Sequence, residues 1–548
     1  MMQPTLQQQS QRPPAPPPQT HADTAALTPQ PSGRLWQWLW LIPVLLILFW
    51  LGARHLITDA IWLDEFYSFE ESGLPHYGGP YNLIELWGRT ATISNWPPGH
   101  NTILSTWFGF VGPSTVAGRA LSLWFGLLSV AMLYRLGLEL ARDQARPRLI
   151  AGSAALLMGF SAIYIHYYHD MRVYTIFVFL VCLTLWLYWR AINGRAGRRM
   201  RIGVALALAG VLYTHPTGQL LFGILGVYHV LFAPRAHRWR VTFQMMVAAA
   251  LLYLPWVGVM LLRIVQEILE LRGLDPIGIL QAALYSYSNG LPLILVALAA
   301  LTLTHIRQRA VAFLWYLVVT FVIAVLVTNV WASFLFHIRL IMLLLPLAGL
   351  LAGFGLAQIA RTRLRWVIAV PLAAWIALGS YYSLTPEFIE STPRHIPAIP
   401  WPSFAETLTT LTTNADPADA VLFQLAEPLH AKPNEYVIKH YTYGFDLHFA
   451  QFALLDWDIP YYNPFGSLEA FVGTAPRIWT AFAPQFALAG RTDPLAVDLT
   501  VLLASAYTHC PRVIERADLQ LDLYVRTGAA VCTEILPPPA QTALFAAP

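Results

Sequence analysis

"LWQWLWLIPVLLILFWLGARHLITDAIWLDEFYSFEESG", Leu35 to Gly73, decides the fold. The stretch from Leu35 to Ala53 carries no charge. At about 1.5 Å per residue it reaches across roughly 30 Å of hydrocarbon. No small-residue cleavage site follows, so it is expected to stay as a first membrane helix. Directly after it, Asp64 and Glu65 stand side by side among Trp62, Phe66, Tyr67 and Phe69. Carboxylates at a membrane edge are costly to desolvate, which marks the pair as a functional position. Glu70 and Glu71 read as a solvated helix face.

The composition agrees. Of 548 residues 56% are hydrophobic and 12% charged, with a mean hydropathy of +0.51, too apolar for an ordinary soluble protein. Apolar runs of helical length recur, where barrel strands would be shorter and alternating. The expected fold is therefore an α-helical polytopic membrane protein of about eleven spans, near 35–53, 114–134, 149–165, 172–190, 202–213, 217–232, 241–261, 289–304, 311–330, 338–358 and 366–383. Before them, residues 1–33 ("QQQSQRPPAPPPQT") read as a disordered tail.

The net charge of +4 does not point to nucleic acid, because the cations fall in alternate loops. Arg135, Arg142, Arg146 and Arg148, then Arg190 to Arg201, Arg235 to Arg240, Arg307 and Arg309, and Arg361 to Arg365 all lie on one side of this topology. By the positive-inside rule that side is cytoplasmic, together with the N-terminus. The acidic pair and the C-terminal part are then extracytoplasmic.

Three external segments follow. A loop over 54–113 holds the acidic pair, "SNWPPGHN" and then "TILSTWFGF", whose Ile103, Leu104, Trp107 and Phe108 share a helical face suited to lying in the interface. "IYIHYYHDMRVYT" (163–175) joins helices three and four, and "FLFHIRLIMLLLPLAG" (334–349) opens helix ten. Beyond residue 384 a proline-punctuated linker leads into a small α/β domain over 385–548, with strands at "AVLFQL" (420–425), "RIWTAF" (477–482) and "LQLDLYVR" (519–526). Cys510 and Cys532 are either paired there or two free thiols, since spacing fixes no geometry; Cys182 reads as core.

These loops contain the parts for chemistry on a lipid-borne group: a base, a cationic cradle and an apolar groove. Asp64 or Glu65 can take a proton from an acceptor. Arg172 and Arg339, with His166, His169 or His337, can hold a phosphate. The plainer readings are a solvated acidic pair, arginines that snorkel to headgroups, a packed His166/His169 pair in place of a metal site, and a structural His215 in the turn "THPTG".

The acidic pair after the first helix, the "PP" before an interfacial helix, "GRALSLWFGLLSVAMLYRLG" (118–137), "HDMRVY" (169–174) and "HIRLIMLLLPLAGLLAG" together resemble the GT-C membrane glycosyltransferases. Within these the chain is similar to the group that includes protein O-mannosyltransferases and the aminoarabinose transferase acting on lipid A. The resemblance spans most of residues 35–385. It implies an inverting transfer of a sugar from a polyprenyl-phosphate carrier to an extracytoplasmic glycan, lipid or protein. It also implies that Asp64 is the catalytic acid-loop residue with Glu65 as its neighbour, and that Arg172, Arg339 and His337 face the donor phosphate. Asp170, His169 and Tyr174 are further candidates, Asp170 and Met171 departing from the usual Glu and small residue. A divalent cation remains open as a partner of the phosphate. The alternatives are a transporter or flippase of a lipid-linked substrate, or a glycan ligase or polymerase.

Overall fold

The computed structural model describes residues 38–532 except 55, 57–60, 74–78, 94–95, 236, 271–274, 332–334, 336, 364, 386–387, 389–403, 425–436, 443, 453–466, 483–493, 517–518 and 529–530. The N-terminal tail and nearly all of the proline-rich linker lie outside the described residues. The chain divides into two compact units, Met1–Val44 and Leu45–Pro548. Everything below concerns the second, apart from the start of one helix.

A helix occupies each of the eleven expected segments: Leu41–Ala53, Thr115–Leu140, Pro147–Gly159, Tyr174–Ile192, Arg198–Thr214, Thr217–Leu231, His237–Glu270, Pro292–Leu301, Arg309–Trp331, Leu344–Ile359 and Ala369–Leu384. By length and hydropathy, five helices suffice to cross a membrane alone, and a bent pair, Pro276–Tyr287 with Pro292–His305, would make a sixth. Eleven is thus the number of expected segments in which a helix is found, not an established number of crossings.

The helix Pro276–Tyr287 was not expected. Its start carries local signals, with Asp275 accepting the Gly278 N–H at 2.9 Å and Pro276 in the first turn. Asn289 (φ +52°) and Gly290 (φ +76°) then turn the chain through 90°. Asn289 also explains why the expected span 149–165 stops at Gly159. Its side chain accepts the Ala162 N–H at 2.9 Å and donates to the Phe160 carbonyl at 2.7 Å. Backbone groups freed by a break in a membrane helix need such partners.

The helix Thr115–Leu140 sets the vertical scale. Near its start Arg119 meets Glu65, and near its end Glu139 pairs with Arg190 and Arg195, both at 2.6 Å. The two positions are separated by about 30 Å of helix, so the acidic pair and this arginine cluster sit at opposite ends of one bundle.

C-terminal to the helices is a mixed sheet in the order β2-β1-β3-β6-β4. Its strands are β1 (Ala420–Gln424), β2 (Phe449–Phe452), β3 (Arg477–Phe482), β4 (Tyr507–His509), β5 (Ile514–Glu515) and β6 (Gln520–Arg526). β1 runs parallel to β2 and β3, while β6 is antiparallel to β3, β4 and β5. Alternation sends Ala420, Leu422 and Ile478 to a face covered by Leu468, Phe471, Leu499 and Leu503. Val421, Phe423, Trp479, Leu521 and Leu523 line the other face. Burial on both faces is why "AVLFQL" reads as a continuous apolar run. Cys510 and Cys532 form a disulfide, with Cα atoms 5.6 Å apart.

The second face of the sheet is buried against the helices Leu63–Ser72 and Gly99–Val111. Ile61, Phe66, Phe69, Leu104, Phe108 and Met171 share one cluster with Leu408, Val421, Trp479 and Leu521. Each fully buried large apolar side chain contributes about 1.5–3 kcal/mol. The cluster therefore outweighs the single hydrogen bond from the Ile61 N–H to Tyr441 Oη at 3.1 Å, worth about 1 kcal/mol. This corrects the interfacial reading of Leu104 and Phe108: the helix Gly99–Val111 turns that side into protein, while Phe110 is exposed.

Candidate active site

The helix Leu63–Ser72 carries the acidic pair in its first turn, where negative charge suits the helix dipole. Gly73, at φ +84°, ends it in the left-handed conformation. Consecutive residues on a helix point about 100° apart, so the two carboxylates reach different surroundings.

Glu65 turns inward. It receives Arg119 Nε at 2.8 Å and Arg119 Nη2 at 2.7 Å, with both side chains at 2% exposure or less. It also accepts the Met171 N–H at 3.0 Å and, more weakly, the Trp62 N–H at 3.4 Å. Its oxygens are fully engaged in tying the helix Leu63–Ser72 to the start of Thr115–Leu140 and to the 170–172 turn.

Asp64 turns toward the two arginines expected from the sequence. Arg339 Nη1 lies 2.9 Å from Asp64 Oδ2 and Arg172 Nε lies 3.7 Å from it. Arg172 is held by a second contact, Nη1 donating to the Asp64 carbonyl at 2.8 Å and to Ser68 Oγ at 3.1 Å. Aromatic faces steady both cations: Arg172 sits over Trp96, and Arg339 over Trp62 and Tyr174. Segments far apart in the chain thus bring Asp64, Arg172, Arg339 and Tyr174 together.

The remaining candidates divide. His337 is fully buried, and its Nδ1 accepts the Arg339 N–H at 3.2 Å, capping the turn Ile338–Ile341. Tyr287 Oη donates to the Ile338 carbonyl at 2.7 Å and fixes the same turn. Asp170 Oδ1 accepts from Trp62 Nε1 at 3.0 Å, and its other oxygen is buried without a hydrogen-bond partner among the described residues. Burial first, and the Glu65 carboxylate next, raise its pKa to about 7. His169 packs against His166 with ring centroids 5.0 Å apart. Among the described residues no group of three or more His, Cys, Asp and Glu side chains is placed to hold a metal ion.

Three participants were not singled out from the sequence: Arg119, Trp96 and His100. Arg119 gave a faint signal, a lone cation one turn into an apolar helix. Glu71 corrects the solvated-face reading, since it is buried and accepts from Asn101 Nδ2 at 2.5 Å. Glu70 pairs with Arg89 at 3.1 Å. Asn101 Oδ1 faces His100 Nδ1 at 3.2 Å. His215 accepts the Thr217 N–H on Nδ1 at 3.1 Å, in keeping with its turn, but its ring also meets Trp96 and Phe177 at 4.8 and 4.6 Å. Burial, followed by the positive charge of Arg172, lowers both histidines to about 3.

No family model and no curated protein matches the sequence. Solved structures do. ArnT from Cupriavidus metallidurans bound to undecaprenyl phosphate superposes with a TM-score of 0.52 at 14% identity, over 92% of this chain and 100% of that one. The chain has the GT-C fold. The apo state of the same ArnT gives 0.50 at 13% identity, over 90% of this chain and 98% of the other. At this identity the GT-C likeness concerns the fold; which residues act is a question for the site's own geometry.

Proposed function

We propose that the protein is an inverting membrane glycosyltransferase that moves a sugar from a polyprenyl-phosphate carrier to an extracytoplasmic glycan, lipid or protein. The observation that carries this reading is Asp64 set between Arg339 and Arg172. A carboxylate beside two guanidiniums is a base next to an anion cradle. The GT-C fold, shared with a protein solved with undecaprenyl phosphate, supports the class of carrier.

Asp64 takes the proton of the acceptor hydroxyl or amine as that group attacks the anomeric carbon from the face opposite the phosphate. The bond from that carbon to the phosphate oxygen breaks, and the phosphate leaves with the bonding pair. Arg172 and Arg339 stabilise the charge that develops on it. Phosphate competes with Asp64 for the same N–H groups, so donor binding turns the carboxylate toward the acceptor. Glu65 acts as a positioning residue through Arg119, and His337 positions Arg339. With the side chains as they stand the two guanidiniums occupy the Asp64 carboxylate, and no step is routed through a metal.

In the proposed orientation the N-terminus and the arginine-rich loops are cytoplasmic and residues 385–548 lie outside as an α/β domain; what supports it is the arginine bias of alternate loops.

The test is to reconstitute the protein in bilayers with a panel of labelled polyprenyl-phosphate sugars and a crude envelope acceptor. Release of polyprenyl phosphate with transfer of the label is expected. Movement of intact donor between leaflets with no bond cleaved would establish the transporter reading instead.

A further inference from the structure

Next to the cradle, several buried polar atoms lack a hydrogen-bond partner among the described residues: His100 Nε2, His215 Nε2, Tyr174 Oη and Asp170 Oδ2. All four side chains are at least nine-tenths buried. An unsatisfied buried polar group costs about 1–3 kcal/mol, so four beside one catalytic candidate require an explanation. Trp96 links two of these groups to a cation. It lies 4.8 Å from His215 and 6.3 Å from Tyr174 between ring centroids, and under Arg172 at 5.7 Å. His100 follows Gly99, where a Cβ would run into the Tyr213 carbonyl, two residues before His215.

The hydrogen-bond polarity of the set can be worked out. His215 Nδ1 accepts a backbone N–H, so the neutral ring carries its proton on Nε2, a donor. Asn101 uses Nδ2 to donate to Glu71 and presents Oδ1 to His100 Nδ1. His100 therefore carries its proton on Nδ1 and offers Nε2 as an acceptor. Tyr174 Oη both donates and accepts.

A phosphate has only acceptors and would leave His100 Nε2 unsatisfied; an ammonium has only donors and would leave His215 unsatisfied. Hydroxyl groups do both. The charges agree with this. Glu65 is spent on Arg119 and Glu71 on Asn101, Asp64 is shared by two guanidiniums, and burial with the Glu65 carboxylate nearby pushes Asp170 toward its neutral form, so no fixed anion awaits a cationic substituent. Trp96 adds an apolar face of the kind on which a sugar ring stacks.

We infer that Trp96, His100, Tyr174 and His215 form the sugar subsite beside Arg172 and Arg339, and that it takes a neutral, hydroxyl-rich sugar in preference to one bearing an ammonium group. This rests on the transfer reading for its donor, but its binding consequence is separable from turnover.

The experiment measures displacement of labelled undecaprenyl phosphate from the full-length protein in nanodiscs by three competitors: the bare carrier, undecaprenyl-phosphate hexose or pentose, and an undecaprenyl-phosphate aminopentose. At least one neutral-sugar donor is expected to bind about tenfold or more tighter than the bare carrier, and the amino sugar is expected to gain less. His100→Ala and His215→Ala are each expected to reduce the neutral-sugar gain by roughly three- to tenfold and to leave bare-carrier affinity within twofold, which also certifies their fold. His215→Gln, which keeps a donor, is expected to recover part of the gain. A gain that survives both alanine variants, or an amino-sugar gain equal to or larger than the neutral one, overturns the inference. Tighter neutral-sugar binding with no bond cleavage when the crude envelope acceptor is also supplied would sustain the subsite and sink the transferase reading.

Discussion

The Glu65 carboxylate and the Arg119 guanidinium meet through two bonds, at 2.8 and 2.7 Å, inside the protein. Removing one partner of such a buried pair leaves an uncompensated charge and costs about 3–5 kcal/mol. Glu65→Gln and Arg119→Met are each expected to lower the midpoint of thermal unfolding in detergent by many degrees. The double variant is expected to lose much less than the sum of the two. Additive losses would mean that the pair is not coupled.

Arg339 is fixed by His337, Tyr287 and two aromatic faces, so the planar guanidinium is matched to its place. Lysine offers a point charge with no fork. Arg339→Lys is expected to lower kcat/KM for a polyprenyl-phosphate sugar about 10- to 100-fold, with a parallel loss of affinity for undecaprenyl phosphate in a displacement assay. Unchanged affinity for the carrier would remove Arg339 from the cradle.

Stability should respond to acid in a particular way. His100 and His215, near 6.5 when unfolded, are lowered to about 3 in the fold. The unfolded chain therefore takes up their protons first, and the stability present above pH 6.5 is lost as pH falls toward 3. Asp170, near 3.8 when unfolded, is raised to about 7; its contribution runs the other way, declining as pH rises from about 4 to 7. Between about pH 4 and 6.5 two histidines outweigh one aspartate by one proton, or roughly 1.4 kcal/mol per pH unit. The unfolding midpoint should fall on acidification across that window. In His100→Gln/His215→Gln it should rise instead, leaving Asp170 in control, as thermal scans at stepped pH would reveal.

The disulfide between Cys510 and Cys532 closes a short loop, with a sequence separation of 22. In the loop-entropy account this contributes about 3 kcal/mol. Cys510 also packs in the cluster that joins the sheet to the helices Leu63–Ser72 and Gly99–Val111. Cys510→Ala/Cys532→Ala is expected to increase hydrogen exchange in β4 and β6, with the helix Tyr174–Ile192 unaffected. Equal protection with and without the disulfide would contradict this.

The elements legible in the sequence were those with a one-dimensional signature. Long apolar runs located the helices, and β3 falls on Arg477–Phe482 as its apolar pattern suggests. "AVLFQ" and "QLDLYVR" likewise became β1 and β6. β2, the short β4 and the two-residue β5 were missed because so few residues carry no period. The helix Pro276–Tyr287 was passed over because its span is completed only through a corner at Asn289. At the site, Asp64, Arg172 and Arg339 were legible as charges costly to place at a membrane edge. Arg119, His100 and Trp96 were not, because each acquires its meaning from a partner distant in the chain. Adjacent acids in one loop give no hint of which will be buried; helical rotation separates Asp64 from Glu65, and only the packing of Arg119 shows which way each turns.

The most direct measurement of the central claim is single-turnover release of polyprenyl phosphate from a donor that the wild-type protein accepts, compared with Asp64→Asn at matched expression and thermal stability. A fall of at least about 100-fold is expected for loss of a general base, with donor affinity retained. Release at the wild-type rate in Asp64→Asn would contradict the account, since the base would then lie elsewhere.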